Sequence, residues 1–268
     1  QILADYTAGD NRMQMCYSFD FLSGDAPTAQ HSRDILKSFV DEAPNSWSCW
    51  AFSNHDVVRH ASRWAEDHPN KQAYLRLLAT LILSLRGSVC IYQGEELGLP
   101  EADITFEDLQ DPYGIQFWPK FKGRDGCRTP MPWQNDAANA GFSEAKPWLP
   151  VSDSHIPLSA NLQVSDPESL HAYYKNLLAM RKQHPVLAKG ELSDLDANAQ
   201  VLQFIRSDNE ERLLCAFNLS DQASEIDTGE AGTLIDEYDL FGSSLSGQTL
   251  TLPAWSAGIV RLQHPRTR

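Results

Sequence analysis

The chain has 268 residues, of which 22 are Lys or Arg and 36 are Asp or Glu, for a formal net charge of −14. A surface this acidic repels phosphate backbones and anionic lipid, so neither nucleic acid nor a membrane surface is an expected partner, and a neutral substrate such as a sugar suits it. Hydrophobic residues make up 42% of the chain, the ordinary share for a globular protein, and the longest apolar runs fall well short of the ~20 residues of a membrane helix.

Three strand-then-helix units open the chain. Residues 13–21, aromatic and small, form the first expected strand. The helix after it covers 32–42, with Ile35, Leu36, Phe39 and Val40 at helical spacing. The second strand is expected over 48–53. Its helix covers about 70–85, with Tyr74, Leu77, Leu78, Leu81 and Leu85 on one face and Gly87 placed to terminate it. Residues 88–92 read as a third strand, short and apolar. An irregular stretch rich in Pro, Gly, Trp and Asp follows, from about 93 to 165, and loops of that length usually carry function. The next helix is expected to start with Asp166 as cap and Pro167 at its first position, to bury Leu170, Tyr174, Leu177 and Leu178, and to end at His184-Pro185. From about Gly190 short alternating runs appear, over 201–206, 212–218, 248–252 and 258–262, separated by Ser, Asp and Gly clusters. They predict a small antiparallel β domain.

Alternating strands and helices imply a parallel sheet with right-handed crossovers, and three units do not close a barrel of eight. The five cysteines, Cys16, Cys49, Cys90, Cys127 and Cys215, are odd in number and unclustered, which fits neither a disulfide framework nor a zinc site. Four of them lie in apolar or aromatic sequence, so buried free thiols in a reducing compartment, the cytoplasm, are expected. No secretory leader is visible, and the first residue is Gln1 rather than Met.

Chemistry concentrates in three strings. Ala51-Phe52-Ser53-Asn54-His55-Asp56-Val57-Val58-Arg59 runs from an apolar strand into Asn-His-Asp and then an Arg. The C-terminal ends of parallel strands are where ligands bind. A carboxylate and an imidazole there can grip neighbouring sugar hydroxyls, and the carboxylate can stabilise positive charge at an anomeric carbon. The same three residues also suit a turn or a helix cap. A metal reading that adds His60 and His68 matches no ligand motif. In the second string, Ile91-Tyr92-Gln93-Gly94-Glu95-Glu96-Leu97-Gly98-Leu99, Gly94 permits a tight turn, and the adjacent glutamates suit structural partners such as loop amides. The third, Gly123-Arg124-Asp125-Gly126-Cys127-Arg128-Thr129-Pro130-Met131-Pro132-Trp133, places two Arg and a Trp in a Pro-stiffened loop. It reads either as a sugar-binding element or as an Arg–Asp pair that holds the loop together.

Together these strings, in this order and spacing, resemble the α-amylase family of glycoside hydrolases, specifically its bacterial α-glucosidase and oligo-1,6-glucosidase branch. Phe52-Ser53-Asn54-His55-Asp56 is similar to the segment ending the seventh barrel strand, Tyr92 to Gly98 to the start of the loop after strand eight, Met15 to Asp20 to strand six, and the tail to the family's C-terminal β domain. The resemblance implies the last three β/α units of a (β/α)8 barrel over residues 1–189, then an antiparallel β-sandwich over 190–268. It further implies a retaining hydrolase that releases terminal α-linked glucose from short α-glucosides. Asp56 takes the transition-state-stabilising position, His55 binds the same sugar, Arg124 holds the terminal glucose with Arg128 on the same loop, and Arg59 and Phe19 line the pocket. No segment matches the family's nucleophile or acid/base motifs, so an N-terminal half of the same enzyme is the implied partner. This chain alone is then expected to be inactive. No cofactor or metal is expected here, although some family members bind calcium or magnesium near the start of the chain. Transglucosylation and sucrose or maltose isomerisation are the nearest alternatives. A non-catalytic sugar-binding or interaction protein is the rival of another class, and an unrelated α/β hydrolase lacks its Gly-x-Ser-x-Gly elbow.

Overall fold

The structure is a computed structural model that describes residues 2–7, 9, 11–238 and 240–263; the remaining positions of the expected 1–189 and 190–268 domains lie outside the described residues. After helix α1 (Ile2–Thr7) come three parallel strands, β1 (Cys16–Tyr17), β2 (Ser48–Trp50) and β3 (Ser88–Val89), side by side in that order. Helix α2 (Ala29–Glu42) returns the chain from β1 to β2, and α3 (His60–Arg63) with α4 (Lys71–Leu83) returns it from β2 to β3. Two short helices, α5 (Pro112–Phe117) and α6 (Ala160–Val164), interrupt the long loop before α7 (Leu170–Gln183) and α8 (Val186–Lys189). The ladders are shorter than the expected strands, β2 included, although it pairs on both sides. Beyond the ladder the chain turns into the loops that carry the site.

Capping side chains explain where the helices depart from expectation. Helix α2 begins at Ala29 because the Thr28 hydroxyl accepts the His31 N–H at 3.1 Å. Asn70 caps α4 in the same way through Ala73, at 3.3 Å, but the helix stops at Leu83, short of Gly87. Gly87 serves a close approach instead: at φ +114° its Cβ would lie 2.4 Å from the Ser48 carbonyl oxygen. Ser169, accepting from Ala172 at 3.1 Å, caps α7, while Asp166-Pro167 forms the turn before it. His184-Pro185 ends α7 as expected; Leu170, Tyr174 and Leu177 are buried, and Leu178 points outward.

The remaining strands are β4 (Glu191–Ala197), β5 (Val201–Ser207), β6 (Arg212–Asn218), β7 (Ser224–Asp227), β8 (Gly232–Leu234), β9 (Ser244–Ser246), β10 (Thr249–Leu252) and β11 (Ser256–Leu262). They form two antiparallel sheets, β4-β5-β6-β11-β8 and β7-β10-β9. The inner strands of the larger sheet are apolar on both faces. Leu202, Phe204, Leu213, Cys215, Phe217, Ala257 and Ile259 pack into one core with Trp50, Phe52, Leu77, Leu81 and Leu177. The alternate residues Val201, Leu214, Ala216, Val260 and Leu262 pack against Leu250 and Leu252 of β10. Helices, five-stranded sheet and three-stranded sheet are therefore stacked layers, and the middle one is buried on both sides. Strands β7, β8 and β9 escape sequence reading because they are short, and β4 because its seven residues are mostly polar. Cys49, Cys127 and Cys215 are buried free thiols as expected; Cys16 is half-buried and Cys90 is exposed.

Two arginines stitch the layers. Arg206 of β5, fully buried, donates to the carbonyls of Ser84 and Leu187 at 2.9 and 2.8 Å, of Val186 and Gly190 at 3.2 and 2.6 Å, and of Glu191 at 3.2 Å. Arg181 of α7 donates to Leu83, to Leu85 at 3.1 Å, to Leu187 at 3.3 Å and to Gly87 at 2.7 Å. Most of these carbonyls sit at or just past helix ends, where helical donors run out; that of Val186 also accepts the Gly190 N–H at 2.9 Å. Burial lowers the Arg206 pKa to about 9, so it remains a cation at neutral pH. Replacing Arg206 with Met removes these donors, leaving Val186 only its Gly190 N–H and Leu187 only its Arg181 bond, and is expected to cost about 3 kcal/mol. Urea unfolding reads this as a lower midpoint at unchanged m-value; an unchanged midpoint would show that the carbonyls find other donors.

Candidate active site

The loop after β2 is folded by its own polar side chains. Ser53 Oγ accepts the His60 N–H at 2.9 Å, and Asn54 Oδ1 accepts the Asp56 N–H at 2.8 Å, an Asx turn. Ser53 and Asn54 are buried, whereas the side chains of His55 and Asp56 are 69% and 47% exposed. The turn reading thus holds for Asn54, and the turn lifts His55 and Asp56 out at the strand end. His55 Nε2 lies 3.4 Å from Asp56 Oδ2.

The long loop reaches over to the other carboxylate oxygen. Arg124 Nη1 and Arg128 Nη2 both donate to Asp56 Oδ1, at 3.1 and 3.0 Å, and Arg128 Nε donates to the His55 carbonyl at 2.7 Å. Arg124 is itself gripped by buried Asp111 through Nε–Oδ2 at 2.8 Å and Nη2–Oδ1 at 3.1 Å. These bonds from Arg124 hold the Asp111 carboxyl well below the usual carboxylate range. Asp125 Oδ2 accepts the N–H groups of Gln110 and Asp111, both at 2.7 Å. The Arg-Asp string therefore clasps residues 110–111, so a loop brace and an arginine facing the carboxylate coexist in Arg124. Sequence reasoning missed Asp111; its signal was an Asp directly before Pro112 at a helix start, which it caps through Tyr113 at 3.2 Å.

Arg59 does not line the pocket. It is 2% exposed, lies over the Tyr92 ring at 5.2 Å, and donates to the Gln93 and Cys127 carbonyls at 2.7 and 3.0 Å. It braces the site from beneath, because the Cys127 carbonyl fixes the loop from which Arg128 extends. Tyr92 Oη donates to the same carbonyl at 2.9 Å. Phe19, on the loop after β1, is 70% exposed and packs edge-on against Tyr17 at 5.3 Å. Gly94 does adopt the left-handed turn, at φ +84°. Glu95 is structural, accepting from Tyr174 Oη at 3.1 Å and from the Tyr92 N–H at 3.4 Å. Burial pushes Glu95 up to about 8 and His60 down to about 3. Their 3.9 Å approach is therefore one of neutral groups, not an ion pair.

Residues 1–190 match the alpha amylase catalytic domain, and residues 195–259 match the maltogenic amylase C-terminal domain. The chain belongs to the alpha-amylase family. Its three β/α units are part of that family's catalytic barrel, and its antiparallel sheets are the C-terminal domain. A probable alpha-glucosidase of Rhizobium meliloti (strain 1021) is 49% identical over 98% of this chain and 47% of its own length. The oligo-1,6-glucosidase of Heyndrickxia coagulans is 29% identical over 91% of this chain and 50% of its own length. The crystal structure of the alpha-glucosyl transfer enzyme XgtA superposes with a TM-score of 0.89 at 42% identity, over 98% of this chain and 48% of that one. The chain spans about half the length of the curated relatives it matches. Among the described residues, no group of three or more His, Cys, Asp or Glu is placed to hold a metal ion, and no helix is long and apolar enough to cross a membrane.

The buried Glu95–His60 pair gives this family member a pH signature. The unfolded values are 4.5 and 6.5, against about 8 and about 3 in the fold. From pH 3 to 4.5 only the unfolded His60 gains a proton, so stability rises with pH. From 4.5 to 6.5 the two slopes oppose each other. From 6.5 to 8 only the folded Glu95 keeps its proton, so stability falls with pH. Urea midpoints of Glu95→Gln are expected to lose that upper fall; a fall as steep as wild type would place its origin elsewhere.

Proposed function

We propose that this chain is the Asp56-bearing part of a retaining α-glucosidase that releases terminal α-linked glucose from short α-glucosides. The observation that carries the reading is the Asp56 carboxylate at a barrel strand end, with two arginines on Oδ1 and His55 beside Oδ2. As the glycosidic bond breaks, positive charge grows on the anomeric carbon and ring oxygen. A carboxylate fixed beside it stabilises that charge, and in a water-poor pocket such preorganisation lowers the barrier by a few kcal/mol. Arg124 and Arg128 prevent Asp56 from swinging away, and Arg124, half turned to the surface, has donors suited to hydroxyls of the terminal glucose. His55 Nε2 supplies a further hydrogen bond to the same sugar.

Retention also needs a nucleophile and an acid/base ~5–5.5 Å apart. On this reading both come from an N-terminal half of the enzyme, which completes the barrel around residues 1–189 while 190–268 form the sheet domain, and this chain alone does not turn over substrate. Five free thiols support a reducing, cytoplasmic setting. A second reading is favoured by the likeness to an alpha-glucosyl transfer enzyme. In it the same glucosyl–enzyme intermediate is resolved by an acceptor hydroxyl instead of water.

The test is turnover of p-nitrophenyl α-glucoside by the whole enzyme and by this chain alone. Turnover by the lone chain would overturn the division of labour. In the whole enzyme, Asp56→Asn is expected to lower kcat by about 10²–10³-fold with the fold intact, and near-normal turnover would remove Asp56 from the mechanism. Arg124→Ala is expected to act chiefly on KM, and an unchanged kcat/KM would take Arg124 out of the site.

A further inference from the structure

Helix α5 presents a ridge of aromatic side chains to solvent next to this cluster. Tyr113 and Phe117 are 57% and 49% exposed, and their rings lie nearly parallel, 9° apart at a centroid distance of 6.5 Å. This is the i, i+4 spacing that brings side chains together on a helix. The ridge is tied to the site. The Arg124 guanidinium that reaches Asp56 lies over the Tyr113 ring at 5.5 Å. The Tyr113 N–H donates at 3.2 Å to Asp111 Oδ1, the same oxygen that accepts Arg124 Nη2 at 3.1 Å. One carboxylate thus fixes both the arginine that meets Asp56 and the first ring of the ridge. The exposed side chains around the ridge are mixed: Ile115 and Phe121 are apolar, while Gln116 and Lys120 are polar.

We propose that Tyr113 and Phe117 form the surface that takes the aglycone, and that it selects flat aryl aglycones over a second sugar. The inference rests on Asp56 marking the reacting centre. Polar contacts at His55, Asp56 and Arg124 suit the glucose that is retained, while the adjoining rings suit an apolar group that leaves. Arg124 joins the two: its guanidinium serves the charged cluster with its edge and the Tyr113 ring with its face.

The experiment compares kcat/KM for p-nitrophenyl α-glucoside and for maltose in the whole enzyme and in its Tyr113→Ala and Phe117→Ala variants, with thermal melts as a folding control. Each variant is expected to lose about tenfold on the aryl glucoside, mainly through KM, and less than about twofold on maltose. Tyr113→Phe, which keeps the ring, is expected to restore the aryl value. Equal losses on both substrates would mean that the ridge packs against protein or binds sugar, and unchanged values would mean that it binds neither; either result overturns the proposal. Failure of the wild-type enzyme to hydrolyse both substrates would instead overturn the glucosidase reading, and the ridge proposal with it.

Discussion

Guanidinium groups seated on backbone carbonyls hold this chain in shape. A short parallel sheet with long connections leaves many carbonyls at helix ends and in loops with no ladder to join, and a buried acceptor without a donor is costly. One arginine brings five donors in a rigid fork, so a single side chain can satisfy several carbonyls from different segments. Arg206 and Arg181 do this where α4, α8 and β4 converge. Arg59 does it beneath the site, and Arg63 does it for Phe52 and Val58.

The two groups divide the labour by position. Arg206 and Arg181 act below the sheet, where the chain enters β3, and they join the helical layer to the first strands of the antiparallel domain. Arg59 acts above it, where the strands deliver their loops, and it ties two points of the long loop, Gln93 and Cys127, to its own loop. At the top, carboxylates enter as well: Asp111 seizes Arg124, Asp125 seizes the backbone beside Asp111, and only then are Arg124 and Arg128 delivered to Asp56. Asp56 is thus supported by distant parts of the long loop as well as by its own short Asx turn.

Much of this was legible in the sequence because its causes are local. Leu77, Leu78 and Leu81 at helical spacing, the apolar runs of β5 and β6, and a strand running into Asn-His-Asp each depend on neighbours a few residues away. Arg59 was misplaced because an arginine beside a strand end looks the same whether it faces substrate or two carbonyls. Those carbonyls, on Gln93 and Cys127, lie 34 and 68 residues away in the chain. Asp111 was overlooked for the same reason, and the start of α7 was misread because Ser169 competes successfully with Asp166-Pro167 for the cap.

The larger antiparallel sheet, apolar on both faces, bears on how this family's parts can be exchanged. Its strands contribute Phe204, Phe217 and Ile259 to the core beneath the helices, so the C-terminal module is not an appendage on a linker. A chimera that borrows this module from a relative would have to import side chains matched to the resident helices. It would also need a guanidinium where Arg206 stands, or the Ser84 carbonyl would lose the donor it has here and those of Val186 and Leu187 would each lose one of two.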